Sequence, residues 1–140
     1  MFAATALAGK PTPPPTGGAI ISYTTIPTTG IASMTSLGSV NITAPTNGKV
    51  HITLTGYVYL DPSSAVSFGI GNTTTDYNLD YTHASSPNAG AGTTFYYSLS
   101  SQAVVDVAAG TTNTFYAIAS PGQTGVNLFN VKMTAVFYPA

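Results

Sequence analysis

The strongest constraint on the fold is a strict alternation of apolar and polar side chains along residues 49–60. The apolar positions of this stretch are Val50, Ile52, Leu54, Val58 and Leu60, and His51, Thr53, Thr55, Tyr57 and Tyr59 lie between them. Because successive side chains of a β-strand point to opposite faces, the pattern predicts a long strand with one buried face. Gly56 interrupts the alternation and indicates a bulge or a bend.

Most of the remaining sequence also has the character of strands. We predict them over residues 19–26, 37–44, 65–71, 93–100, 102–107, 111–120 and 126–138, with residues 72–92 as one long loop. The last strand is predicted to place Phe129, Val131, Met133, Ala135 and Phe137 on one face. Asn47–Gly48 is a strong hairpin signal. This number of short strands predicts an all-β fold, an antiparallel β-sandwich forming a single domain over residues 19–140.

Residues 1–18 have a different composition and are predicted to form an extended N-terminal arm. Pro13, Pro14 and Pro15 favour polyproline II, and Gly17 and Gly18 follow them as a hinge. The first residues are small and apolar, as in a signal peptide, but no basic segment precedes them. We therefore expect the arm to remain in the mature protein.

Charged side chains make up 5% of the chain: three Lys, four Asp, no Arg and no Glu. Three scattered lysines supply little charge for phosphate contacts, so nucleic acid is not an expected partner. No apolar run reaches the length of a membrane span, and the absence of cysteine excludes disulfides and thiol chemistry. A chain with so few charges is expected to self-associate, and we predict a homo-oligomer.

Catalytic signals are weak. His51 and His83 are the two histidines, and no serine has the strand–turn–helix surroundings of a nucleophile elbow. We predict that the protein is not an enzyme, has no catalytic residues and uses no cofactor.

One segment resembles the start of a calcium-binding loop, because Asp76, Asn78 and Asp80 offer oxygen ligands at alternating positions. Tyr81 stands where such a loop has glycine, and Pro87 where it has a bidentate acid. The three residues are candidate metal ligands, and ordinary solvation of a loop is the alternative.

Four segments of the sequence carry a resemblance to a known type of module. They are VNITAPTNGKV (40–50), VVDVAAGT (104–111), FYA (115–117) and MTAVFYP (133–139). Over residues 37–140 their spacing of turns and strands resembles the C1q/tumour-necrosis-factor-like jelly rolls of phage head and tail appendages and bacterial surface proteins. The resemblance implies a jelly roll, a trimer with the final strand in its core, and a role in structure or attachment. It implies no catalytic residues.

These observations lead to a first hypothesis, a structural subunit that decorates or cements a virion surface. Its arm would contact a neighbouring subunit or a capsid shell through Pro13, Pro14, Pro15, Ile20, Ile21, Tyr23 and Ile26. A second hypothesis is an extracellular filament subunit whose residues 19–26 complete the next subunit's sheet. A third is a cell-surface module that binds glycans through Tyr57, Tyr59 and Tyr81.

Overall fold

A computed structural model of the chain describes residues 21–26, 29–87, 92–122 and 126–140. Pro13, Pro14, Pro15 and Ile20, predicted to make contacts, lie outside these residues. The described regular structure is nine β-strands: β1 (Ile21–Ile26), β2 (Thr29–Ile31), β3 (Thr35–Thr43), β4 (Gly48–Leu60), β5 (Ala65–Gly71), β6 (Asp80–Ser85), β7 (Phe95–Val107), β8 (Thr112–Pro121) and β9 (Val126–Pro139). The predicted all-β fold is confirmed.

The strands form two antiparallel sheets packed face to face. Sheet A has the order β1-β9-β4-β7, with the short β2 also paired to β9, and sheet B has the order β3-β8-β5-β6. The first and last strands are neighbours, and along the described chain only β5 and β6 are consecutive strands paired in one sheet. Most connections therefore cross between the sheets, which is the jelly-roll arrangement of the β-sandwich.

The core lies between the inner faces of the two sheets, and the alternation seen in the sequence supplies it. Val50, Ile52, Leu54, Val58 and Leu60 of β4 are fully buried. Val66, Phe68 and Ile70 of β5 face them from sheet B and are also fully buried. In these two strands the predicted apolar faces are confirmed.

The predicted long loop is partly wrong, because it contains strand β6. Its register runs from Ala65↔Ser85 to Ile70↔Asp80 beside β5. Ala84 is the one fully apolar side chain that β6 turns inward, so the segment lacks the apolar stripe that identifies a strand by sequence. Similarly, the two strands predicted over 93–107 are one strand, β7, in which the buried Ser101 interrupts the apolar face.

Strand β9 contains a bulge that changes which side chains face the core. Thr55 pairs with Lys132 but Tyr57 pairs with Phe129, so β9 has one extra residue opposite Gly56. Asn130 takes a left-handed backbone conformation there, with φ of 51°. The bulge expected at Gly56 is confirmed, whereas the placement of Phe129 on the core face is wrong: it lies half-buried on the outer face.

The turn at Asn47–Gly48 is not the predicted hairpin. Strand β3 pairs with β8 in sheet B, whereas β4 pairs with β7 and β9 in sheet A. The Asn47 side chain accepts a hydrogen bond from the Ala109 amide at 2.9 Å. A Cβ on Gly48 would overlap the carbonyl oxygen of Tyr138. This turn therefore fixes the crossing between the sheets against the end of β9.

The two open sides of the sandwich are closed differently. Between β1 and β3, a Cβ on Gly38 would lie 3.1 Å from the Ile26 side chain, so the missing side chain lets Ile26 enter the core. Between β6 and β7, one carboxylate oxygen of Asp80 accepts hydrogen bonds from Ser101 Oγ at 2.6 Å and from the Gln102 amide at 2.8 Å. One side is closed by apolar packing and the other by charge-assisted hydrogen bonds.

Candidate functional site

The outer face of sheet B is covered by the segment that joins β5 to β6. Gly69 and Gly71 occupy outward positions of β5, and a Cβ on Gly69 would lie 2.8 Å from the Cβ of Tyr77. The segment is held by the Leu79 amide, which donates to the carbonyl of Ile70 at 3.1 Å. Ile118, an outward residue of β8, is fully buried beneath this cover. The segment therefore removes the aliphatic side chain of Ile118 from solvent, whereas Tyr81 on the same face stays exposed.

The outer face of sheet A has no comparable cover among the described residues. Strand pairing aligns Ile21, Val136, His51 and Val104 in one row across β1, β9, β4 and β7. Ile21 is 61% exposed and Val104 is 62% exposed. Tyr23 and Tyr138, on the two neighbouring rows, are also exposed. We call Ile21, Val136 and Val104 the apolar row; His51 lies between Val136 and Val104 in it, and Val136 is half-buried.

Few charges interrupt this face. At one end Lys49 Nζ lies 2.6 Å from Asp106 Oδ1, and both side chains are well exposed. Lys132 is the other charged side chain that the described strands present there, paired across β9 and β4 with Thr55. The remaining outward residues near it are hydroxyls and amides such as Thr53, Thr134 and Gln102.

The opposite end of the same face carries three tyrosines, Tyr57 and Tyr59 on β4 and Tyr96 on β7. The rings of Tyr59 and Tyr96 meet edge to face with centroids 5.4 Å apart. A shallow depression lies at this end of the face, above Gly56 and Leu99. Its other lining residues are Thr55, Tyr57, Ser98, Ser100 and Asn130. We call this the bulge depression, because the β9 bulge brings Asn130 to its rim.

The candidate metal ligands do not share one site. Asn78 exchanges hydrogen bonds with Asn72, accepting from its amide at 3.1 Å and donating to its Oδ1 at 2.9 Å. Asp80 points to β7, where the hydrogen bonds from Ser101 and Gln102 lower its carboxyl pKa. Asp76 is exposed and its backbone forms a bridge with Thr73. In the described part of the chain, no three His, Cys, Asp or Glu side chains cluster as metal ligands would.

The two histidines lie on opposite outer faces of the sandwich. His51 belongs to the row across sheet A, whereas His83 is on β6 with its Nδ1 3.2 Å from Ser67 Oγ. The two histidines are therefore far apart, and each lies among residues of its own sheet.

The predicted contact and glycan residues are also divided. Ile21 and Tyr23 are exposed, but Ile26 is 5% exposed and packs in the core of this chain. Residues 21–26 pair with this chain's own β9. Tyr57 and Tyr59 share the outer face of sheet A, whereas Tyr81 lies on the outer face of sheet B beside Tyr77.

Sequence reasoning missed Val104, Val136 and Tyr96 as surface residues of interest. A signal existed for Val104, because the alternation in β7 makes it the outward neighbour of the inward residues Ala103 and Val105. Its place in one row with Val136, on the other side of His51, follows from the pairing of β4 with both β7 and β9, which the sequence does not encode locally.

Across the described ranges, no helix is long and apolar enough to cross a membrane. No protein-family model matches the chain. A search of curated proteins likewise found no similar sequence.

Proposed function

We propose that the protein is a non-enzymatic structural subunit that assembles with copies of itself through the outer face of sheet A. The apolar row carries this proposal, because Ile21 and Val104 are each more than half exposed in the single chain. Large apolar side chains exposed together on one face of a sheet are found at protein interaction sites. The low charge of the whole sequence agrees with a surface that is largely buried in an assembly.

The charges on this face limit where a twofold axis could pass through it. Lys49 and Asp106 neutralise each other, so burying that end leaves no unpaired charge. Lys132 lies near the middle of the face, in the row formed with Thr25, Thr55 and Ser100. A twofold axis there would bring the Lys132 side chains of two copies together, whereas a ring joins different surfaces of neighbouring copies.

More specifically, we propose that the protein forms a trimer that decorates or cements a virion surface, and that residues 1–18 are the docking arm. The jelly-roll strand order and the resemblance of residues 37–140 to phage appendage modules support this form. Jelly rolls recur in capsid proteins, although one fold serves many functions, so the resemblance rather than the fold alone suggests the location.

The assembly proposal is tested by placing a charge in the apolar row. In Val104→Lys, an ammonium replaces an exposed valine, so the monomer fold is kept while burial against another copy becomes costly. The control is Ser39→Lys, an exposed outward position on β3 of sheet B. Molar mass is measured by light scattering over a concentration series for the three proteins.

We expect a closed oligomer for the unaltered chain and for Ser39→Lys, and a monomer for Val104→Lys. An unaltered chain that stays monomeric at every concentration would contradict assembly. Growth into long polymers would instead favour the filament hypothesis, because exchange of β1 between copies is open-ended.

The finer proposal has a separate test. Removal of residues 1–18 should leave the oligomer intact and abolish its binding to the particle it decorates. Unchanged binding would show that the arm is not the docking element.

A further inference from the structure

The bulge depression on sheet A differs from the apolar row in its chemistry. Its lining combines one aromatic ring, Tyr57, with the hydroxyls of Thr55, Ser98 and Ser100 and the amide of Asn130. Thr55 and Tyr57, which line it, lie four and six residues along β4 from His51 in the apolar row, about 13 and 20 Å for an extended strand. The two surfaces are therefore separate enough to act independently.

The backbone at this place is built to present Asn130. The extra residue of the bulge breaks the alternation of β9, and Asn130 takes the left-handed conformation that asparagine tolerates better than most residues. Its side chain is exposed and has no hydrogen-bond partner among the described residues. Bulges of this kind redirect a side chain, and here the redirected group is an unpaired amide at the rim of a depression.

The lining indicates the chemical class of a ligand. Among the described residues, no carboxylate, lysine or histidine lines the depression itself, and Lys132, the cross-strand partner of Thr55, is the one charge placed beside it by strand pairing; the lining therefore favours a neutral ligand. It is open and shallow, unlike the enclosed apolar cavities that hold apolar small molecules. Tyr57 is 49% exposed, and the faces of an aromatic ring carry partial negative charge.

We propose that the bulge depression binds a neutral oligosaccharide. The C–H face of a sugar ring, which is weakly positive, would lie on the ring of Tyr57. The sugar hydroxyls would exchange hydrogen bonds with Asn130, Ser98 and Ser100, which can act as both donors and acceptors. This activity goes beyond assembly, and it differs from a platform that includes Tyr81, which the fold places on the other sheet.

The test uses the full chain and a panel of neutral tetrasaccharides built from glucose, galactose, mannose or N-acetylglucosamine. Binding is measured by saturation-transfer NMR and by titration, for the unaltered chain and four variants. Tyr57→Ala removes the ring, Tyr57→Phe keeps it, and Asn130→Gly keeps the left-handed backbone while removing the amide. Tyr81→Ala, an exposed tyrosine on sheet B, is the matched control.

We expect at least one sugar to bind, with saturation transferred mainly to its ring C–H protons. Tyr57→Ala should raise the Kd about tenfold or more, and Asn130→Gly should also raise it. Tyr57→Phe and Tyr81→Ala should leave it nearly unchanged. Failure of the unaltered chain to bind any sugar of the panel, or equal binding by Tyr57→Ala, would overturn the proposal.

A measurement of molar mass on the same variants separates this proposal from assembly. Val104→Lys should bind the sugar as the unaltered chain does, whatever its oligomeric state. If Tyr57→Ala dissociates the oligomer and leaves sugar binding unchanged, the tyrosines belong to the subunit interface and the saccharide proposal is wrong.

Discussion

The outer faces of the two sheets both carry aliphatic residues at outward strand positions, but these residues differ in solvent exposure. Ile118 on sheet B and Val104 on sheet A are both aliphatic residues at outward strand positions. Ile118 is fully buried and Val104 is 62% exposed. The difference comes from the segment joining β5 to β6, which lies over Gly69 and Gly71 and covers one face. A sheet position is therefore outward by alternation, but whether it meets solvent depends on what else the chain folds onto it.

The largest expected effect comes from truncating one of these two aliphatic side chains. Ile118→Ala should lower the free energy of unfolding by about 3 kcal/mol, because it leaves a cavity beneath the covering segment. Val104→Ala should change it by less than about 0.5 kcal/mol, because solvent already surrounds the side chain. Urea denaturation is measured at a concentration where the chain is monomeric. Equal losses would mean that the two faces do not differ in burial.

The covering segment is tested at its closest approach to the sheet. In Gly71→Ala, the added Cβ would overlap the carbonyl oxygen of Asp76 and lie 2.9 Å from Ile118 Cδ1. We expect a loss of about 2 kcal/mol, since backbone must move to relieve the contact. The control is Ser67→Ala, another outward position of β5, which should be nearly neutral. If both variants unfold at the same urea concentration, the segment is not seated as described.

A smaller effect is expected at the side of the sandwich where β6 meets β7. The hydrogen bonds from Ser101 and Gln102 hold the pKa of Asp80 below its ordinary value. Asp80→Asn should cost at most about 1 kcal/mol at neutral pH, because it removes the charge from these bonds but solvent screens this partly exposed carboxylate. Urea midpoints of both proteins, measured from neutral to acid pH, give the difference directly.

The sign of the pH dependence follows from the lowered pKa. The contribution of Asp80 is complete above the ordinary Asp value near 4 and is lost as the pH falls from there through the lower folded value. The gap between the unaltered chain and Asp80→Asn should therefore close in acid. Asp76→Asn, at an exposed position on the segment over sheet B, is the control for the substitution itself. A gap that persists in strong acid would assign the effect to packing rather than to charge.

Where a strand has one fully apolar face, the sequence was sufficient to predict its role. The alternation in β4 and β5 identified the buried residues correctly, and Gly56 indicated the bulge opposite it. Prediction failed where the local pattern was weak or changed. Strand β6 turns a single small apolar residue, Ala84, to the core, and the extra residue Asn130 moves Phe129 to the other face.

Prediction of the candidate sites depended on pairing between distant strands. Tyr57 and Tyr59 were identified as a possible surface from β4 alone, but their neighbours Tyr96 and Asn130 come from β7 and β9. Asp76, Asn78 and Asp80 are close in sequence, yet their side chains bond to different parts of the molecule. Proximity along the chain was a poor guide, because the neighbours of a strand residue come from paired strands that are distant in sequence.

By itself the sequence determined that this chain forms strands, which of their faces are apolar, and that few charges cover its surface. These are local properties, fixed by side-chain period and composition. The tertiary structure alone decided which outward residues meet solvent, because that depends on where a connecting segment lies and which strands are neighbours. It placed a cover over Ile118 and left Ile21 and Val104 exposed in one row, since side chains on separate strands come together only once the sheets have formed.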